Sequence, residues 1–189
     1  MGARDGSFGL IPVGVESGTP FVGHTRLMSI ASAYGTNIFY GDLVNLQSDG
    51  TIQRETADAA IVTCGVFLGC SYTDATLGFV QRQYWPASQI ATDAFGYIAD
   101  DPNLLFKIQA DATLGRTAVG ANFELTTDAS GSTVTGNSGL ELAASTQATT
   151  NTFPLRVIDF LDVDEIDSDF PIMIVKINTV HLYDRVLGT

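Results

Sequence analysis

Short runs rich in Val, Ile, Thr and Phe, each cut off after a few residues by Gly, Asp or Asn, recur along the whole chain. That rhythm constrains the fold more than any other feature. β-Branched and aromatic side chains suit a pleated, half-buried surface, and Gly, Asp and Asn suit the turns between. The runs predict strands at residues 8–15, 25–31, 37–40, 43–47, 51–54, 61–68, 77–85, 94–99, 104–110, 123–126, 140–143, 155–161 and 172–182. Residues 43–47 and the end of 172–182 place polar groups at steps of two, as on a sheet with one buried face. Asp49-Gly50 suits the tight turn of a hairpin. No stretch of about 12 residues keeps an unbroken helical period, and a single helical turn is expected at residues 86–90. The expected fold class is all-β, a barrel or sandwich of short strands.

Composition narrows the function. The 189 residues carry 9 Lys+Arg against 21 Asp+Glu, a net charge of −12, and only 16% are charged. At 45% hydrophobic, the chain has enough apolar surface to offset chain entropy. Lys107 and Lys176 are its two lysines, which argues against direct nucleic-acid binding and against an anionic membrane surface. The first residues lack the apolar block of a secretory signal, and no run approaches the roughly 18 apolar residues of a membrane span. Cys64 and Cys70 lack zinc-knuckle spacing and read as two small buried thiols.

Two compositional islands stand out. Residues 111–152 are dominated by Ala, Thr, Ser, Gly and Asn, but Val119, Phe123, Leu125, Val134, Leu140 and Leu142 interrupt them. Those apolar residues can pack, so an ordered, loop-rich insertion is expected. Residues 159–169 hold six acids in eleven positions and read as a solvated connection before the last strand. Calcium at Asp162, Asp164, Asp167 and Asp169 is the rival reading, weakened by Ile166 two positions after Asp164 with no Gly following.

Catalytic signatures are missing, and the chain is not expected to be an enzyme. His24 follows Gly23 in a turn, and His181 sits in a strand-like run. There is no nucleophile elbow and no phosphate-binding glycine motif. Asp100-Asp101-Pro102 reads as a turn rather than an acid–base pair. Tyr72, Phe79, Tyr84 and Trp85 are expected to pack in a core or interface; a carbohydrate-binding or fibre-type module would use Tyr84, Trp85 and the 111–152 loops as its platform. No catalytic, cofactor-binding or metal residue is assigned, and no cofactor is expected.

One series of motifs is more specific. It comprises Phe8-Gly-Leu-Ile-Pro-Val-Gly, Ile38-Phe-Tyr-Gly-Asp-Leu-Val-Asn-Leu, Asp49-Gly-Thr-Ile, Cys64-Gly-Val-Phe-Leu-Gly-Cys-Ser-Tyr-Thr-Asp, Tyr84-Trp-Pro, Ile98-Ala-Asp-Asp-Pro-Asn, Phe106-Lys-Ile-Gln, Phe153-Pro-Leu-Arg-Val-Ile and Val175-Lys-Ile-Asn-Thr-Val-His. Over about residues 8–182 this series resembles the head decoration (cement) proteins of tailed bacteriophages, in particular those of short-tailed aquatic phages. The resemblance implies a β-barrel or β-tulip-like domain on the outer capsid surface of the virion. It implies the major capsid protein as partner, a homo-oligomer, often a trimer at three-fold positions, and no active-site residues. Residues 1–15 are then expected as an N-terminal arm and 16–189 as the β domain. Phe8, Leu10, Ile11, Pro12 and Val13 are the candidate capsid-contact residues, with a strand in the chain's own sheet as the open alternative for the arm.

Overall fold

A computed structural model describes residues 4–56, 61–126, 130–150 and 152–182. Those residues form eleven strands: β1 (Ile11–Val15), β2 (Arg26–Ile30), β3 (Leu43–Leu46), β4 (Thr51–Arg54), β5 (Gly65–Asp74), β6 (Gly78–Arg82), β7 (Phe95–Ala99), β8 (Leu104–Gln109), β9 (Asn122–Phe123), β10 (Leu155–Phe160) and β11 (Ile172–Ile177). The fold is all-β. Three single 3-10 turns are the helical elements among the described residues.

Strands β3, β4, β2, β7 and β5 follow one another in hydrogen-bonded order, and β5 returns to β3 to close a five-stranded barrel. The β2–β4 pair is parallel and the other pairs are antiparallel. β5 is ten residues long. Its first residues close the barrel on β3, and its second half carries β6 as an added strand. A register shift between Phe67 and Cys70, at Gly69, bends β5 between those two tasks. The β3–β4 hairpin turns at Asp49-Gly50, where the Asp49 carboxylate accepts from both the backbone and the hydroxyl of Thr51.

The second sheet has the order β1-β8-β11-β10-β9, antiparallel throughout. Its inner face carries Leu104, Phe106, Ile108, Leu155, Val157, Met173, Val175 and Ile177. These pack on Leu43, Val66 and Ala99, which point out of the barrel wall. Their chain neighbours Val44, Phe67 and Ile98 point into the barrel with Ile30 and Ile52. The wall strands are therefore apolar on both sides, and each fully buried aliphatic side chain there stabilises the fold by roughly 1.5–3 kcal/mol. Gly96 makes the barrel interior fit: a Cβ there would lie 2.9 Å from Ile52 Cδ1 and 3.1 Å from Phe67 Cε2. Tyr72 and Trp85, both fully buried, meet edge to face at 5.3 Å in the same core.

Several expectations shift. Residues 37–40 and 140–143 form isolated bridges, Ile38 with Trp85 and Leu142 with Ala110 and Leu125, because their backbone partners are loops rather than strands. The strand expected at 61–68 begins at Gly65 and runs past Gly69 to Asp74, the glycine serving as a bulge and not as a stop. The last strand ends at Ile177. Asn178 then turns the chain by donating to Phe153 O through its side chain and to Pro154 O through its backbone. Residues 86–90 hold no helical turn; Ser88 adopts φ 60° and its N–H donates to Tyr34 O. In the 111–152 segment Phe123, Leu125, Leu140 and Leu142 are buried as expected, but Val119 and Val134 face solvent.

Candidate functional site

The candidate arm residues are partly spent inside the chain. Ile11–Val15 is the edge strand of the second sheet, paired with β8. Leu10 is fully buried in the core and Pro12 is buried, because alternate positions of that strand face inward. Phe8, Ile11 and Val13 remain partly exposed.

Two outward faces keep apolar side chains. The first is the barrel wall formed by β2, β7, β5 and β6. Leu27 is 57% exposed, Phe79 68% and Phe95 39%, with Tyr97 half-buried beside them. Leu27 and Tyr97 are direct cross-strand partners, and Phe95 stands one step along β7 on the same side. Gln81 Nε2 donates to Tyr97 Oη at 3.2 Å and fixes the ring on that face. The sequence signal for this patch was Phe95-Gly96-Tyr97. The glycine faces the filled interior, so both aromatic neighbours must face out. The second face is the outer side of the second sheet, where Arg156 and Lys176 oppose each other across β10 and β11. A depression of about 390 Å³ beside them is lined by Glu16, Arg156, Ile158, Lys176 and Asn178 among others.

A buried polar junction holds the two sheets and the insertion together. Asp42 has no exposed surface. Its carboxylate accepts from Phe39 N at 2.8 Å and from Ser138 Oγ at 2.6 Å, and Arg54 Nε lies 3.1 Å away. Ser138 Oγ in turn accepts from Leu140 N at 3.1 Å. Burial raises the Asp42 pKa, against the pull of Arg54 and the hydrogen bonds. Next to it, Gly41 O accepts from Leu10 N and Gly41 N donates to Phe67 O. The N-terminal segment, the barrel and the insertion thus meet at two adjacent residues. Nothing local in the sequence marks Asp42 for this role, since its partner Ser138 is 96 positions away.

The other titratable candidates are structural. Cys64 and Cys70 are buried free thiols of the barrel core, and burial pushes both up to about 12, which keeps them protonated and unreactive near neutral pH. His181 lies in a turn after β11 with Nδ1 2.7 Å from Ile61 O, while His24 is exposed. Asp100 pairs with Arg26 at 2.8 Å, and Asp101 accepts from Asn103 N to open the β7–β8 turn. In the acidic island Asp162 accepts from Asp164 N, Glu165 from Ile172 N and Asp169 from Thr113 Oγ1. The acids act as turn acceptors there, and no group of three or more His, Cys, Asp or Glu among the described residues could hold a metal ion. Trp85 is fully buried and Tyr84 stacks on Phe39 at 5.6 Å, so neither offers a flat sugar platform. No helix among the described residues is long and apolar enough to cross a membrane.

Glu141 allows a pH test. Burial first, then Asp5 and Asp111, raise its pKa above the usual carboxylate value. The folded chain holds this proton more tightly than the unfolded chain. The stability it contributes is full below the unfolded pKa and is lost as pH rises through the folded one. Glu141→Gln is expected to melt about 1–2 °C above wild type at neutral pH and level with it in acid where Glu141 is protonated. Calorimetry across that range checks the sign; a variant that melts lower at neutral pH would refute it.

No protein-family model, no curated protein and no solved structure matches the chain.

Proposed function

We propose that this protein is a capsid decoration (cement) protein of a tailed bacteriophage. It binds the major capsid protein on the outer surface of the head, as a homo-oligomer, and staples neighbouring capsomers. A trimer at three-fold positions is the assembly that goes with this reading. The observation that carries it is the barrel face with Leu27, Phe79, Phe95 and Tyr97 turned outward. An apolar patch on a stiff, closed wall suits a protein partner better than solvent. The motifs behind the resemblance support the reading from the other side. Gly41-Asp42, Gly65 to Gly69 and Tyr84-Trp85 are junction, bulge and buried anchor of this frame. The work is interface burial that resists outward pressure, repeated many times over a shell so that modest contacts multiply. It requires no cofactor, no catalysis and no contact with nucleic acid or membrane.

Cryo-electron microscopy of expanded heads incubated with the protein tests this. Wild type is expected at regular surface positions with the β2–β7–β5–β6 face against the capsid protein. Leu27→Asp with Phe95→Asp is expected to lower occupancy at least about tenfold at unchanged circular dichroism, since these side chains lose their apolar pocket. Heads that stay bare with wild-type protein would end the proposal.

A further inference from the structure

A sheet edge offers a row of unpaired N–H and C=O groups to any strand that comes alongside. Most edges of this fold are covered by the chain itself. The barrel closes where β5 meets β3. The free side of β1 is covered by residues 19–21, with Val15 N donating to Thr19 O and Phe21 N to Val13 O. On the free side of β9, Asn122 and Ala148 exchange two backbone bonds. β6 is the exception. It pairs with β5 on one side, and none of residues 78–82 makes a backbone hydrogen bond to any other element among the described residues.

That open edge lacks the usual guards. Its five residues, Gly-Phe-Val-Gln-Arg, pair with β5 in unbroken register and include no Pro, no Lys and no bulge. Phe79 is 68% exposed, and Leu77 just before the strand 64%. Alternation sets Phe79 and Gln81 on the outward side, and Gly78, Val80 and Arg82 on the side of the core, against which Val80 packs. Charge stands at both ends. Arg82 closes the strand, and Asp74 lies across the hairpin from Gly78. Asp74 Oδ1 is spent on the turn, accepting from Thr76 N and Leu77 N, while Oδ2 has one distant donor, Gln89 Nε2 at 3.4 Å. Arg82 forms no ion pair among the described residues.

We propose that β6 is where a second copy of the chain docks, edge to edge and antiparallel, about a two-fold axis normal to the sheet at Val80. Strand addition of this kind draws affinity from main-chain bonds and specificity from side chains, and a two-fold contact uses one self-complementary patch twice. The strand's own order sets the register. Val80 lies opposite Val80 of the other copy, Phe79 opposite Gln81, and Gly78 opposite Arg82. Each Arg82 then passes over the other copy's Gly78, where nothing lies within 4 Å of a Cβ position. Beyond it is Asp74 Oδ2 on the next strand, two strand spacings or about 10 Å from the Arg82 backbone. The two Phe79 rings stand diagonally across the seam, within reach of each other. Parallel pairing would instead set Arg82 beside Arg82. Because the axis is normal to the sheet, Phe79 of both copies stays on the outward side, and the apolar wall of one copy continues into the other. The capsid reading concerns that wall and this inference concerns its edge, so either can hold without the other.

The test is sedimentation equilibrium on the full purified chain from ~1 to ~100 µM, with hydrogen exchange at both ends of that range. A dimer is expected, with the amides of residues 78–82 exchanging more slowly in the concentrated sample. Phe79→Lys, which puts two ammonium groups at the seam, should weaken the dimer by about tenfold or more. Arg82→Glu, which turns a carboxylate toward Asp74, should do the same at about tenfold. Asp74→Asn keeps the acceptor of the turn and should weaken it in the same direction. Circular dichroism and melting temperature show that each variant is folded. A monomer at every concentration, an odd-numbered assembly, association that leaves exchange at residues 78–82 unchanged, or a dimer indifferent to both Phe79→Lys and Arg82→Glu would overturn the inference. So would a monomer whose β6 amides become protected only on phage heads, since the edge would then belong to the capsid protein.

Discussion

Gly65→Ala is expected to cost at least about 3 kcal/mol of stability, more than a glycine-to-alanine change in an ordinary turn. Gly65 sits at φ +149°, and a Cβ on it would lie 2.5 Å from Ala99 O and 2.7 Å from Ile98 Cγ2. The first of those atoms is backbone and cannot swing aside. Nor can the strand slide away. Gly65 pairs with Val44 in the contact that closes the barrel, and Val66 next to it pairs with both Leu43 and Ala99. The Thr63 hydroxyl pins the entry by donating to Val44 O at 2.8 Å. Urea unfolding would show the midpoint falling sharply with the slope unchanged. Gly50→Ala is the control, since its φ is also positive but nothing lies within 4 Å of the added methyl. Its cost should stay near 1 kcal/mol. If the two variants unfold together, the barrel closure is not the tight point described above.

Asp42→Ala is expected to be as severe, about 3–5 kcal/mol, because it removes a fully buried carboxylate from beside Arg54 and strips the acceptor from Phe39 N and Ser138 Oγ. The effect should spread to elements remote in sequence, since the junction joins β3, β4 and the insertion. Hydrogen exchange in the segment around Ser138 should accelerate along with that of β4. Acid adds a sign. Burial raises the folded-state pKa of Asp42 above its ordinary 3.8. The folded chain therefore takes up a proton that the unfolded chain releases, and that contribution is full below the unfolded pKa and lost as pH rises through the folded one. The stability gap between wild type and Asp42→Ala should widen as the pH falls toward the unfolded value. A gap that closes in acid would mean that the Arg54 attraction, and not burial, dominates.

Local chemistry carried a good part of the fold into the sequence. The β3–β4 hairpin was legible because Asp49-Gly50 needs only its own neighbours to turn. Most strand cores were legible from β-branched runs. What failed were features whose cause lies elsewhere in the chain. Gly69 looks like a stop in isolation and is a bulge because β7 lies alongside. Val119 and Val134 look like the other apolar residues of the insertion, yet they face solvent.

The candidate surfaces divide the same way. The low count of cations was plain from composition, but the meeting of two of them across the second sheet was not. Arg156 and Lys176 are neighbours only because β10 and β11 pair in that register. Phe8, Leu10, Ile11, Pro12 and Val13 read as one apolar segment, and strand alternation splits them into buried and outward sets. By itself the sequence determined an all-β chain of short strands, with acids crowded into one connection and hardly any cations. The tertiary structure alone decided that the strands close into a barrel with a second sheet against it, and which apolar residues are left facing out. Composition and turn chemistry act between near neighbours. Barrel closure, two-sided burial and the Asp42–Ser138 contact depend on residues tens of positions apart, which meet only once the chain has folded.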